Sequence, residues 1–261
     1  DGFHEIVSAA VPIRLFDTLL FESADDPQIR LVCTGGGTDV PADDSNIAVK
    51  AAKLLQKKGN VLKGAVIHLM KRIPSQAGFG GGSSDAAAVL RLANRCWNVN
   101  LSDSELLPLA AEIGSDCPIF FYKTPTISTG RGERIEPLPA VPPLHLVIVK
   151  PEEGLSTAAV YAECMPNHDR QFRSPQKLIT ALSSGNAEEI GQHLFNRLEE
   201  SAQKIWQGGS EIKNRLLASG CLAAQMSGSG TAFFGLCRNQ KHAEEIQQQF
   251  GSGCRTMETY S

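Results

Sequence analysis

Ile73-Pro74-Ser75-Gln76-Ala77-Gly78-Phe79-Gly80-Gly81-Gly82-Ser83-Ser84-Asp85-Ala86-Ala87-Ala88 is a glycine-rich loop that runs into an apolar helical pattern. Four glycines fall within the five positions from Gly78 to Gly82. A helix begins with unpaired N–H groups and the positive end of its dipole, so small residues there let phosphate oxygens reach the donors. Bare amides can also curl into an anion-binding nest that side chains would obstruct. Two commoner glycine motifs do not fit. A P-loop ends in Gly-Lys-Ser/Thr, whereas Gly82 is followed by Ser83; a dinucleotide fingerprint needs a third glycine where Ser83 stands. The apolar run Ala65 to Met70 predicts a buried strand before the loop, and Ser84 to Trp97 predicts the helix after it. His68, inside that strand, has no second metal-type residue near it in sequence and reads as a core or edge histidine.

The rest of the composition narrows the class. With 261 residues, 42% hydrophobic and 20% charged, the chain is a folded globular protein of one large domain or two ordinary ones. A formal net charge of -3 and only short basic pairs, Lys57-Lys58 and Lys71-Arg72, give no footprint for nucleic acid. No apolar run approaches the roughly 18 residues that a membrane-spanning helix requires, so no membrane partner is expected. Seven cysteines without a C-x-x-C pair point to buried thiols in a reducing cytoplasm, not to a zinc site or a disulfide framework. The sequence opens on Asp1, and any targeting segment ahead of it would not be seen in it.

Strands are expected at Glu5 to Arg14, Thr18 to Glu22 and Ile29 to Cys33, the last running into a turn at Gly35-Gly36-Gly37. Ile47 to Lys58 has helical periodicity, with Ser45 or Asn46 as cap and Gly59 as stop. Ser102-Asp103-Ser104-Glu105 is a capping box for a helix from Leu106 to Ile113. Pro137 to Pro143 holds four prolines in seven positions, a stiff connection that divides the chain into domains 1–142 and 143–261. Beyond it come a strand at Leu144 to Val149 and helices near Thr157 to Cys164, Pro175 to Ser183, Ala187 to Glu199 and Glu211 to Ala218. Strands at Leu222 to Met226 and Thr231 to Leu236, a helix at Lys241 to Phe250 and a strand at Arg255 to Thr259 follow. This order is that of an α+β split βαβ sandwich.

Two more segments carry chemistry. In Gly114-Ser115-Asp116-Cys117-Pro118 an aspartate sits between a helix end and an apolar run read as a strand. Asp116 could accept a proton from a hydroxyl attacking a γ-phosphoryl group, or it could simply cap a turn. Ser227-Gly228-Ser229-Gly230 is a small-residue turn between two strands, a hairpin turn or a second backbone wall for a ligand.

Taken together, these three segments resemble the GHMP kinase superfamily, the small-molecule kinases named for galactose, homoserine, mevalonate and phosphomevalonate. Pro74 through Ala87 is similar to its nucleotide motif, Gly114 through Pro118 to its aspartate motif and Ser227 through Gly230 to its C-terminal glycine motif. Asp1-Gly2-Phe3-His4-Glu5 is similar to the opening of the branch that phosphorylates the 2-hydroxyl of CDP-methylerythritol. The resemblance implies a two-domain α+β fold, an N-terminal domain like ribosomal protein S5 and a C-terminal ferredoxin-like sandwich. It also implies that Pro74, Ala77, Gly78, Phe79, Gly80, Gly81, Gly82, Ser83 and Ser84 bind ATP, with Ser83 an oxygen ligand near Mg²⁺, and that Asp116 is the catalytic base. Phe3, His4 and Tyr161 would hold the cytosine, and Thr157, Gly228 and Ser229 would contact the substrate. The family opens with a Pro-Ala-Lys-x-Asn strand whose lysine sits by the catalytic aspartate, and this sequence starts after that point. Lys50, Lys53 and Lys71 are expected on unrelated elements; a parent protein that carries the segment ahead of Asp1 is expected to be a competent kinase, and in one that genuinely lacks it turnover should be strongly reduced. The alternatives are a homoserine-type or mevalonate-type kinase, which would not need the Phe3, His4 and Tyr161 arrangement, and a nucleotide-binding module without catalysis.

Overall fold

The computed structural model describes residues 6–35, 40–164, 174–250 and 254–259. The chain forms two compact units: 1–10, 15–75 and 80–137 make the first, and 11–14, 76–79 and 138–261 the second.

In the first unit the strands β1 (Ile6–Ala10), β2 (Thr18–Ala24), β3 (Ile29–Gly35) and β4 (Gly64–Lys71) precede two more, β5 (Thr126–Gly130) and β6 (Arg134–Pro137). β4 lies between β2, antiparallel to it, and β3, parallel to it, while β5 lies between β1 and β6 in an antiparallel ribbon. Ala65, Ile67 and Leu69 of β4 enter the core, as the two-residue period of a strand requires. Over them pack the helices α1 (Ile47–Lys58), α2 (Gly81–Cys96) and α3 (Asp103–Ile113). Asn46 caps α1 by accepting from the Ala48 N–H at 2.9 Å, and Glu105 closes the Ser102 capping box. α1 packs against α2, and Ala48, Ala51, Ala52, Ala86, Ala87 and Ala93 of the two helices are buried in the same core.

The second unit is a four-stranded antiparallel sheet in the order β10-β7-β9-β8, made from β7 (His145–Val149), β8 (Ala223–Met226), β9 (Phe233–Cys237) and β10 (Cys254–Glu258). Both faces are covered, which is why β7 reads as an unbroken apolar run. Val147 and Val149 join Phe233, Leu216 and Ile246 in one core, and Leu146 joins Leu182, Ile190 and Leu236 in the other. The helices are α4 (Thr157–Glu163), α5 (Gln176–Ser184), α6 (Ala187–His193), α7 (Arg197–Ile205), α8 (Gly208–Ala218) and α9 (Gln240–Phe250).

Several sequence expectations need correction. The helix expected over Ala187 to Glu199 is two helices, because Leu194 and Asn196 take extended backbone and the Asn196 side chain caps α7. A short amide side chain that competes with the helical ladder favours a cap over an interior position. The first strand ends at Ala10, and Val11 to Arg14 belong to the second unit. Cys117–Phe121 is a 3₁₀ turn and not a strand, with Pro118, which lacks an N–H, in its first turn. The helix after the loop starts at Gly81, three residues before the expected start at Ser84 and five before Ala86, its first strong helix former.

Candidate active site

The phosphate loop leaves β4 at Lys71 and enters α2 through Gly80, which is left-handed (φ 65°) and offers no side-chain cap. The N–H groups of Gly81, Gly82 and Ser83 lie in the first turn, ahead of any intrahelical acceptor, so the helix mouth presents donors to an anion. Glycine is required there by packing as well. A Cβ on Gly80 would come within 2.7 Å of Cζ of Phe120 in the 3₁₀ turn.

Residues 76–79 of the loop pack in the second unit. The Thr231 N–H donates to the Gln76 carbonyl at 3.0 Å, and the Ser227 hydroxyl donates to the Gly78 carbonyl at 2.9 Å. Gly78 has φ 74°, and a Cβ there would overlap the Ser227 carbonyl oxygen. Gly78→Ala therefore combines left-handed strain with backbone overlap, a cost of about 2–4 kcal/mol. The expected result is a melting temperature lower by several degrees and ATP affinity weakened at least about tenfold; calorimetric melting and ATP titration check it.

Behind the helix mouth lies a buried charge cluster. The Lys71 ammonium donates to Asp17 and, at 2.8 Å, to Asp85, and these side chains are only 4%, 2% and 5% exposed. Asp17 also accepts the backbone N–H groups of Arg72 and Ile73, tying the entry of the loop to the start of β2. Burial works to raise the Asp17 pKa, yet the hydrogen bonds from Lys71, Arg72 and Ile73 together bring it below its ordinary 3.8. Asp85 has only Lys71 against its burial, and burial prevails, pushing it up to about 7. Burial would lower Lys71, but its two carboxylate partners raise it above 10.5. Lys71 was expected on an unrelated element, and that reading is corrected. Its ammonium nitrogen would lie 3.3 Å from a Cβ placed on Gly81.

Asp116 follows the helix stop at Gly114 and leads into the 3₁₀ turn. α2 holds that turn in two places. Cys117 and Phe121 of the turn are buried in one core with Ala86, Ala87 and Leu90 of α2. Arg91 lies 4.4 Å over the Phe121 ring and donates to the Phe121 carbonyl at 3.1 Å. The aspartate motif and the helix mouth are thus fixed side by side within one unit. The Asp116 carboxylate reaches solvent and makes no side-chain hydrogen bond or ion pair among the described residues. Desolvation by the surrounding protein raises its pKa above 3.8, as suits a group that must take up a proton.

In the second unit Thr157 and Ser229 share a hydroxyl hydrogen bond of 2.9 Å, which joins the start of α4 to the turn at Gly228. Tyr161 lies one helical turn further along α4. Phe3 and His4 lie outside the described residues. Sequence reasoning missed Asp17, Asp85 and Asn196 because their partners are distant in the chain: 54 residues separate Asp17 from Lys71. Among the described residues no group of three or more His, Cys, Asp or Glu side chains could cage a metal ion, and no helix is long and apolar enough to cross a membrane.

Comparison with known proteins agrees with this geometry. Residues 46–124 match the GHMP kinases N terminal domain, and residues 178–256 match the GHMP kinases C terminal family. A 4-diphosphocytidyl-2-C-methyl-D-erythritol kinase from Pelotomaculum thermopropionicum is 39% identical, over 96% of this chain and 86% of the relative. One of the same name from Ligilactobacillus salivarius is also 39% identical, over 98% and 88%. A crystal structure of 4-(cytidine 5'-diphospho)-2C-methyl-D-erythritol kinase superposes with a TM-score of 0.83 at 30% identity, covering 100% of this chain and 92% of that one. A homoserine kinase from Cytophaga hutchinsonii shares the fold, with a TM-score of 0.75 at 19% identity, over 97% and 93%. The glycine-capped helix, the adjacent aspartate and these matches together make the chain a member of the GHMP kinase family, in the branch of the 4-diphosphocytidyl-2-C-methyl-D-erythritol kinases.

Proposed function

We propose that the chain transfers the γ-phosphate of ATP to the 2-hydroxyl of CDP-methylerythritol, a step of the non-mevalonate route to isoprenoid precursors. One observation carries the reading: an unpaired carboxylate, Asp116, stands beside a turn that Arg91 ties to the same helix whose mouth is uncapped and glycine-lined. In this reading Gly78 to Ser84 receive the ATP phosphates on backbone N–H groups, and Asp116 takes the proton from the attacking hydroxyl. Catalysis is then mainly positioning and charge stabilisation.

Mg²⁺ at such sites takes only one or two protein oxygens and is otherwise held by phosphates and water. The Ser83 hydroxyl, on the first turn of α2, is an oxygen ligand that fits that demand. When bound, the ion would neutralise charge on the phosphoryl oxygens. Phe3, His4 and Tyr161 are assigned to the cytosine, and Thr157, Gly228 and Ser229 to the rest of the substrate, on the strength of the motif resemblance. Cys33, Cys96, Cys117, Cys164, Cys221 and Cys237 are free thiols, which supports a reducing cytoplasmic setting.

A phosphotransfer assay decides between this reading and its relatives. ATP is offered with CDP-methylerythritol, mevalonate or homoserine to the protein carrying the family's Pro-Ala-Lys-x-Asn strand ahead of Asp1. Phosphorylated product is expected with the cytidyl substrate alone. Product from mevalonate or homoserine instead, or ATP binding with no product, overturns it.

A further inference from the structure

The turn at Ser227–Gly230 is held from behind by a residue that no motif contains. The Asn196 amide nitrogen donates to the Met226 carbonyl at 2.9 Å and to the Gly228 carbonyl at 2.7 Å. Its oxygen accepts the Leu198 N–H at 2.9 Å, as N-cap of α7. Both N–H donors of this one side chain are therefore engaged, and the two groups that donate can only be on the nitrogen. One turn on, the buried Glu199 accepts the Met226 N–H at 3.1 Å, and its other partners are Gln225 and Lys213. The opening of α7 thus grips the chain from Gln225 to Gly228 through both its carbonyls and its amides.

That stretch is the one which holds the loop. Ser227 donates to the Gly78 carbonyl, the Thr231 N–H donates to the Gln76 carbonyl, and the Thr231 hydroxyl, fully buried, donates to the Glu153 carbonyl at 2.6 Å. Gln76 has a left-handed backbone (φ 50°) that a non-glycine residue adopts only under such restraint. We propose that Asn196 is a positioning residue of the nucleotide site: through the Met226 and Gly228 carbonyls it fixes the glycine turn, and through that turn it fixes loop residues 76–79. The inference rests on the reading of this loop as the ATP phosphate site.

The chemistry of asparagine separates this role from helix capping. Asn196→Asp keeps an equally good N-cap but turns a carboxylate oxygen toward two carbonyls. Asn196→Ser also caps, and cannot reach the turn. The ligand-free protein should show faster amide hydrogen exchange at 76–79 and 226–232 in both variants, with the melting temperature within about 3 °C of the parent. KM for ATP should rise about tenfold while kcat changes less than about threefold. Unchanged exchange in both variants, or a KM rise that only tracks a fall in melting temperature, overturns the proposal. Because the exchange measurement needs no nucleotide, a parent protein that failed to bind ATP would defeat the loop assignment without touching this result.

Discussion

Asp116→Asn is expected to lower kcat about 10²–10⁴-fold while leaving ATP affinity within a few-fold, since a positioned general base contributes on that scale. The asparagine keeps the size of the side chain and loses only the capacity to take up a proton. No hydrogen bond or ion pair of the carboxylate is lost with it among the described residues, so the fold should be nearly indifferent. The pH profile gives the same test a second axis. A base works only when deprotonated, so kcat/KM of the parent should fall as the pH drops through the Asp116 pKa, which desolvation has raised above 3.8. That acid limb should be missing from Asp116→Asn. Steady-state kinetics with CDP-methylerythritol reads both effects, and an unchanged kcat would remove Asp116 from the chemistry.

Lys71→Met should produce the largest loss of stability, about 3–5 kcal/mol, because it strips the shared cation from two buried carboxylates. Asp17 and Asp85 would then face each other with no charge between them. Adding Asp85→Asn to Lys71→Met removes one of the stranded charges, so the double variant should be more stable than the lysine variant alone. That sign of coupling is diagnostic of a shared cation. Asp17 sets the direction on the acid side. Its folded pKa lies below 3.8, so it contributes stability at pH values above 3.8 that is lost as the pH falls through the lower folded value. Urea titrations of the single and double variants at neutral pH, and of the parent through the acid range, measure these effects.

The elements that sequence reasoning placed well are those with a local physical signature. The Asn46 cap, the Ser102 and Glu105 capping box and the alternating burial of β4 each depend on residues within a few positions of one another. The glycine loop was legible for the same reason, since the motif carries both its turn and its donors. The start of α2 at Gly81 was misjudged because glycine has poor helix propensity, and here the packing of Ile73 and Phe120 against its backbone prevails. The break at Asn196 was hidden by helical periodicity on both sides. The Lys71 cluster and the grip on Met226 and Gly228 join segments tens of residues apart, so composition and spacing carry no trace of them.

The buried alanines of α1 and α2 bear on the calorimetry of nucleotide capture. A methyl group has no side-chain torsion to freeze, so the platform beneath the phosphate cradle has little residual freedom for a ligand to quench. The heat and the heat-capacity change of ATP uptake should then report water leaving the loop and the adenosine surface, with little contribution from helices settling against each other.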